Sequence, residues 1–315
     1  MVGAIALSLG VVGLSAIPAH GGLHFEESHH EHNEAKDGHE EDIEIQVIPA
    51  NAEAGIYMLL GQGGNIGVLV GEDGVFMIDD QFAPLTEAIQ TAIAELGNKE
   101  IRFVLNTHWH FDHTGGNENL GNQGVLIVAH DNVRERMSTE QVLASIGMEF
   151  PASPEAALPA LTFSDRATFY LNDQTVNAIH VEPAHTDGDT IIQFAEANVL
   201  HLGDTYFNGF YPFIDFESGG SLDGMIAATE QGLALANDET VIIPGHGPIS
   251  NRAELESYHQ LLLEVREVTQ SAIDAGLSLD TFIQSQPLAD YDEYWGSGFL
   301  SPEQFMTIVY NGLNP

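Results

Sequence analysis

At 315 residues the chain is long enough for one large domain or two small ones with a sizeable core. Eight Lys plus Arg against 47 Asp plus Glu give a formal net charge of −39, which repels nucleic acid and anionic membrane faces and so excludes a phosphate-backbone partner. There is no cysteine, hence no disulfide, no thiolate metal ligand and no Cys nucleophile.

Met1 to Ile17 is apolar, rich in small residues and uncharged. Pro18-Ala19-His20-Gly21 follows, with Ala19 and Gly21 placed as in a cleavage site. Residues 1–21 therefore read as a secretory signal peptide and the protein as periplasmic or secreted. Left uncleaved, the run would be an N-terminal anchor, the one membrane association expected, although it is short for a span. Residues 22–42 place His24, His29, His30, His32 and His39 among many acids with nothing periodic or apolar enough to pack, so they read as a disordered linker. The linker is either a solvated tether or a tail that gathers zinc for a site downstream.

From Ile43 the pattern changes to short β-like runs: residues 43–48, which alternate apolar and polar, then 56–60 and 66–70. Glu72-Asp73-Gly74 turns the chain into a strand at 75–78, closed by Asp79 and Asp80. Leu85, Ala88, Ile89, Ala92, Ile93 and Leu96 recur at helical spacing over 84–96, with Gly97 as the stop. A strand at 101–105, the polar stretch Thr107–Asn117, a strand at 125–129 and a helix at 131–137 follow. Residues 148–164, rich in Pro and Ala, read as a loop crossing between halves. The pattern then restarts, with strands at 167–171, 175–182, 190–195 and 199–202, and a long loop from Gly203 to Gly220. Ser221 caps a helix running to Ala236, a last strand covers 240–243, and Asn251 opens a long helix to about Ala275. Residues 276–315 form a C-terminal helical extension, with a start signal at Ser301-Pro302-Glu303-Gln304. Strands, helix, strand and loop, given twice, predict an α/β (α+β) fold of two β-rich layers with helices outside, over 43–275.

Thr107–Asn117 reads THWHFDHTGGN and packs His108, His110, Asp112 and His113 into six positions directly after a strand. In extended backbone, residues two apart point the same way, so His108, His110 and Asp112 can converge. His113 is out of phase and joins them only if the chain turns, for which Thr114-Gly115-Gly116 supplies the chemistry. Imidazole and carboxylate together suit zinc, with iron or manganese as alternatives. Three more polar clusters end strands: His185 in PAHTDGD, Asp204 in HLGDT, and His246 in PGHGP.

With Asp79 after its strand, then THWHFDH, His185, Asp204 and His246 in that order, the chain resembles the metallo-β-lactamase superfamily over about residues 55–250. The resemblance implies a four-layer αβ/βα sandwich with two metals at one edge. It implies that His108, His110 and His185 hold the first metal, Asp112, His113 and His246 the second, and that Asp204 bridges them, as in the glyoxalase II and lactonase branches. Asp79 matches a carboxylate that orients a ligand histidine. Two Zn2+ sharing a water would generate a nucleophile for an acyl carbon of a small molecule, with Asp112 able to accept its proton. His rather than Glu at the second ring position favours zinc hydrolases over di-iron oxidoreductases within the family. No lysine follows Asp204 to grip a β-lactam carboxylate, so a lactone, ester or thioester is favoured over a β-lactam. The aromatic loop after Asp204 either flanks the site or packs on the core. If it flanks the site, Tyr206 or Asn208 donates to an oxyanion. A true β-lactamase, a mononuclear iron persulfide-dioxygenase-like enzyme and a non-catalytic zinc-binding protein are the competing readings. Tyr291, Tyr294, Trp295 and Phe299 either cover the site or pin the tail to the domain. His130 reads as a cap.

Overall fold

Hydrophobic alternation along the strands organises the molecule. In the computed structural model, residues 44–97 and 99–314 are described; the expected signal peptide and His-rich linker lie outside them. Strand β4 (Gly74–Ile78, after β1 Gln46–Asn51, β2 Ile56–Leu60 and β3 Ile66–Gly71) shows the principle. Its Phe76 and Ile78 face a layer shared with Ile192, Phe194 and Val199 of the second sheet, while Val75 and Met77 face Ile89 and Ile93 of helix α1 (Thr86–Leu96). Every one of these side chains is buried, so both faces of the strand are covered and a polar residue at any of the four positions would be stranded.

After α1 the chain forms β5 (Ile101–Leu105), the short helices α2 (Phe111–Thr114) and α3 (Asn117–Asn122), β6 (Leu126–His130) and α4 (Asp131–Met137). A two-stranded hairpin, β7 (Gln141–Leu143) and β8 (Met148–Phe150), stands apart before β9 (Leu161–Phe163) closes the first sheet. That sheet runs β1-β2-β3-β4-β5-β6-β9, antiparallel to β4 and parallel beyond it. The second sheet takes β10 (Arg166–Leu171), β11 (Gln174–His180), β12 (Thr190–Phe194), β13 (Val199–His201), β14 (Val241–Ile243) and β15 (Ser250–Asn251) in chain order, with β13 and β14 parallel. Helix α5 (Leu222–Leu235), capped by Ser221, and α6 (Arg252–Asp274), capped by Asn251, cover its outer face. Helix, sheet, sheet, helix is the four-layer α/β sandwich expected.

Two expectations about elements need correcting. Residues 148–164 are not a bare crossing loop, because β8 and β9 lie within them; Glu149 and Thr162 interrupt these short strands, which lack the continuous apolar run of Val241–Ile243. The first strand is shifted to Gln46–Asn51 and takes Pro49 into a sheet edge, where a missing N–H is tolerated. The C-terminal extension forms α7 (Leu279–Gln284), α8 (Ala289–Trp295) and α9 (Pro302–Leu313), the last opened by a Ser301/Gln304 capping box. It shares the core beside α6 through Phe282, Trp295, Phe305 and Val309. Trp295 packs on Tyr258 and its carbonyl accepts from the Tyr211 N–H at 2.8 Å, while Tyr294 and Phe299 stay exposed. Its aromatic anchor is thus a tail pin.

Candidate metal centre

The candidate residues sit at the carboxyl ends of strands from both sheets. Asp79 leaves β4, the His108–His113 segment leaves β5, His185 follows β11, Asp204 follows β13 and His246 follows β14. The turn that His113 needs is made by α2, whose four residues carry Asp112 and His113 around to the same side as His108 and His110. The structure brings these side chains into two groups, His108, His110, His185 and Asp204 in one and Asp112, His113 and His246 in the other, each with one donor atom per residue within 4.8 Å of the rest. Asp204 stands between the groups. Its Oδ2 lies 3.5 Å from His185 Nε2 and 3.4 Å from His246 Nε2, and its Oδ1 lies 3.1 Å from His113 Nε2.

The ring orientations follow from what holds each outer nitrogen. His113 Nδ1 donates to Asp79 Oδ2 at 2.8 Å. His108 Nδ1 faces Thr107 Oγ1 at 3.0 Å, and that hydroxyl in turn donates to Asp79 Oδ2 at 2.8 Å. The Thr107 amide adds a 2.7 Å bond to Asp79 Oδ1, so one buried carboxylate sets two ligand rings. His110 Nε2 donates to Asp215 Oδ2 at 3.0 Å, and His185 Nδ1 to the Phe213 carbonyl at 2.7 Å. In the neutral rings of His108, His110, His113 and His185 this leaves the inner nitrogen's lone pair toward the cluster, the tautomer that metal ligation requires.

Three observations test whether metal fits. His108 Nε2 is buried without any hydrogen-bond partner, an arrangement that is costly unless an ion satisfies it. A Cβ at Gly245 would lie 2.0 Å from Asp204 Oδ1, and one at Gly64 would lie 2.3 Å from His113 Nε2, so glycine at each position keeps space open before a donor atom. The donors are imidazole nitrogen and carboxylate oxygen alone, a set that accepts zinc, iron or manganese. The residues fit a metal.

Charge inside the cluster is arranged around the same atoms. Burial, reinforced by His113, pushes His108 well below its usual range, and burial with His110 pushes His185 down to about 4. Burial also opposes charge on His113 and His246, but Asp204 and Asp112 outweigh it, raising His113 well above its ordinary value and His246 to about 9. Against burial, His113 and His246 hold Asp112 down to about 2 and Asp204 well below the carboxylate range. Protons on His113 and His246 thus stand where cations would.

Tyr206 and Asn208 are not brought to the cluster, and the oxyanion role expected of them is corrected. The Tyr206 hydroxyl is buried and pairs with Ser250 Oγ at 2.8 Å while its ring packs on Tyr258. The Asn208 amide donates to the Pro248 carbonyl and Glu254 Oε2. The same loop does reach the site at other positions: Phe207 stacks on the His246 ring at 5.3 Å, and Phe213 and Asp215 hold His185 and His110. Asp215 was the residue that sequence reasoning missed, although an acid inside the apolar run YPFID is a signal that burial demands a partner for it. His130 caps α4 by accepting from the Asn132 amide.

The family model described as Metallo-beta-lactamase superfamily matches residues 60–246. The chain belongs to this superfamily. Among curated relatives, it is 26% identical over 76% of its length to "2,4-dinitroanisole O-demethylase subunit alpha" of Nocardioides sp., covering 70% of that protein. It is 27% identical over 53% of its length to "Hydroxyacylglutathione hydrolase" of Polaromonas sp., spanning only 57% of that protein. Among solved structures, a metallo-beta-lactamase from Pontibacter korlensis superposes with TM-score 0.57 at 19% identity, covering 70% of this chain and 99% of that one. The sec-alkylsulfatase Pisa1 from Pseudomonas sp. superposes with TM-score 0.62 at 16% identity, covering 85% of this chain and 50% of that one. These superpositions show the shared fold.

Proposed function

We propose that this superfamily member is a two-zinc hydrolase that cleaves an acyl C–O, C–N or C–S bond of a small, largely apolar molecule. The observation that carries the reading is the position of Asp204, one carboxylate reaching both nitrogen-rich groups. His108, His110 and His185 would hold one ion, Asp112, His113 and His246 the other, and Asp204 both. When bound, such ions supply Lewis acidity and a water acidic enough to attack at neutral pH. Asp112 and His246 are the ligands with the most exposed side chains, 20% and 27%, so substrate approaches on their side. Ionised Asp112 can orient the attacking water there and take its proton transiently on its carboxylate.

The surroundings of that open side support an apolar substrate. Phe82, Phe111, Phe150 and Trp109 form a chain of ring contacts beside Asp112, with centroids 5.6, 5.1 and 5.8 Å apart. Among the described residues no Lys or Arg forms an ion pair with any proposed ligand carboxylate. The hydroxyacylglutathione hydrolase relatives favour thioester or ester cleavage. A second reading, cleavage of an aryl alkyl ether, is favoured by the O-demethylase relative together with the aromatic strip.

The test pairs elemental analysis with turnover of a lactone, a thioester, an aryl ester, a chromogenic cephalosporin and 2,4-dinitroanisole. About two zinc per chain with hydrolysis of an acyl substrate is the expected result. A single iron with no hydrolysis of any acyl substrate would overturn it.

A further inference from the structure

The segment Gly61-Gln62-Gly63-Gly64, between β2 and β3, lies directly against the second group of ligands. The Gly64 amide donates to the Asp112 carbonyl at 3.1 Å, and the Gly64 backbone passes so close to the His113 ring that a Cβ would stand 2.0 Å from its Cε1. At its far end, Asn65 donates from its backbone to the Gly245 carbonyl at 2.7 Å and from its side chain to the carbonyls of Pro244 and Gly247, each at 2.9 Å, on either side of His246. The segment and Asn65 together therefore touch the Asp112 backbone, the His113 ring and the backbone on either side of His246.

A run this rich in glycine does not hold a single shape by its own preferences. The remaining support comes from Gln81. Its Nε2 donates to the Gly64 carbonyl at 2.6 Å, and its Oε1 accepts from the Gly63 amide at 3.4 Å. Gln81 is fully buried and has φ 55°, in the left-handed region where a side chain other than glycine is disfavoured. Glycine would satisfy that backbone without strain, but it would leave the Gly64 carbonyl without this donor.

We propose that Gln81 is a positioning residue whose carboxamide clamps the 61–64 segment over Asp112 and His113, holding the second metal group in shape and defining the wall of the substrate entrance beside it. The inference rests on the two-metal reading of the site.

The decisive variant is Gln81→Gly, which keeps the left-handed backbone and removes the clamp together with the side chain's packing; Gln81→Glu keeps the side chain's volume and restores the acceptor but not the donor. Zinc titration of the full chain, wild type and variants in parallel, makes any binding by the N-terminal histidines common to all. Gln81→Gly is expected to stay folded without metal, at a somewhat lower melting temperature, and to bind the first zinc equivalent normally. The second should bind about 10–100-fold more weakly, the usual effect of losing an outer partner of a metal site. At saturating zinc its KM should rise more than its kcat falls, with Gln81→Glu recovering only part of the loss. Wild-type affinity for both equivalents and an unchanged KM in Gln81→Gly would overturn the clamp while leaving the metal site intact. A wild-type chain that takes up no zinc beyond its N-terminal histidines would instead overturn the two-metal reading on which the clamp rests.

Discussion

Asp79 and His113, thirty-four residues apart, are joined by a 2.8 Å bond between two fully buried side chains. The same carboxylate accepts the Thr107 amide and hydroxyl, and through that hydroxyl it reaches His108. Asp79 itself has φ 62°, an uncommon conformation kept where surrounding bonds over-determine it. One residue at the end of β4 thus aligns a ligand of each metal group. Asp79→Asn would set an amide N–H against donors, so zinc affinity is expected to fall about 10–100-fold. Metal content after dialysis measures this; full occupancy would show that Thr107 and the packing alone hold the rings.

Asp204→Ala removes the carboxylate that reaches both groups. Metal per chain is expected to drop by at least one equivalent, and turnover to fall by about three orders of magnitude, since a bridged pair acts as a unit. Activity retained at full metal loading would break the two-metal assignment.

Metal uptake is expected to release protons. His246 titrates at about 9 in place of its ordinary 6.5, and His113 is also raised, so at pH 7 both carry protons that a cation must displace. Calorimetry in buffers of different ionisation enthalpy reads this directly; a buffer-independent heat would contradict it. The sign for stability follows. A raised histidine contributes fully below about 6.5 and loses its contribution as pH rises through about 9, so the chelated protein should melt progressively lower across that window. His108 and His185, held neutral by burial, act at lower pH and do not disturb it.

Phe111 is 36% exposed and stacks on Phe150 beside Asp112. Phe111→Ala is expected to raise KM for an aryl ester about 3–10-fold, from the roughly 0.5–1.5 kcal/mol of an aromatic contact, with little change in melting temperature. An equal KM change for a short alkyl ester would argue against ring stacking.

Tyr206→Phe deletes a hydroxyl bonded to Ser250 in the core. Stability should fall by about 1 kcal/mol with kcat unchanged. A large loss of kcat in a fully folded variant would return Tyr206 to the chemistry.

Much of this was open to reading along the chain because the causes are local. Alternation in β4, helical spacing in α1, and the caps at Ser221, Asn251 and Ser301 depend on residues within a few positions of one another. The metal-ligand candidates were readable for the same reason: imidazoles and carboxylates cluster at strand ends, where extended backbone gives way to turns. Strand β9 was not readable, since its stability comes from pairing with β6 and not from its own sequence.

The tertiary structure alone decided which way each side chain of the Asp204–Gly220 loop turns. Tyr206 and Asn208 look as suited to a site as Phe213 and Asp215, but a loop has no period from which direction can be inferred. Tyr206 finds Ser250 across a buried layer, and Asp215 finds His110, a partner 105 residues away. Burial requires each polar group to meet a partner, and which partner is available is settled by how the two sheets close. Sequence supplied the donor atoms of this centre, while the packing of distant segments determined which atoms face inward and which residues hold them.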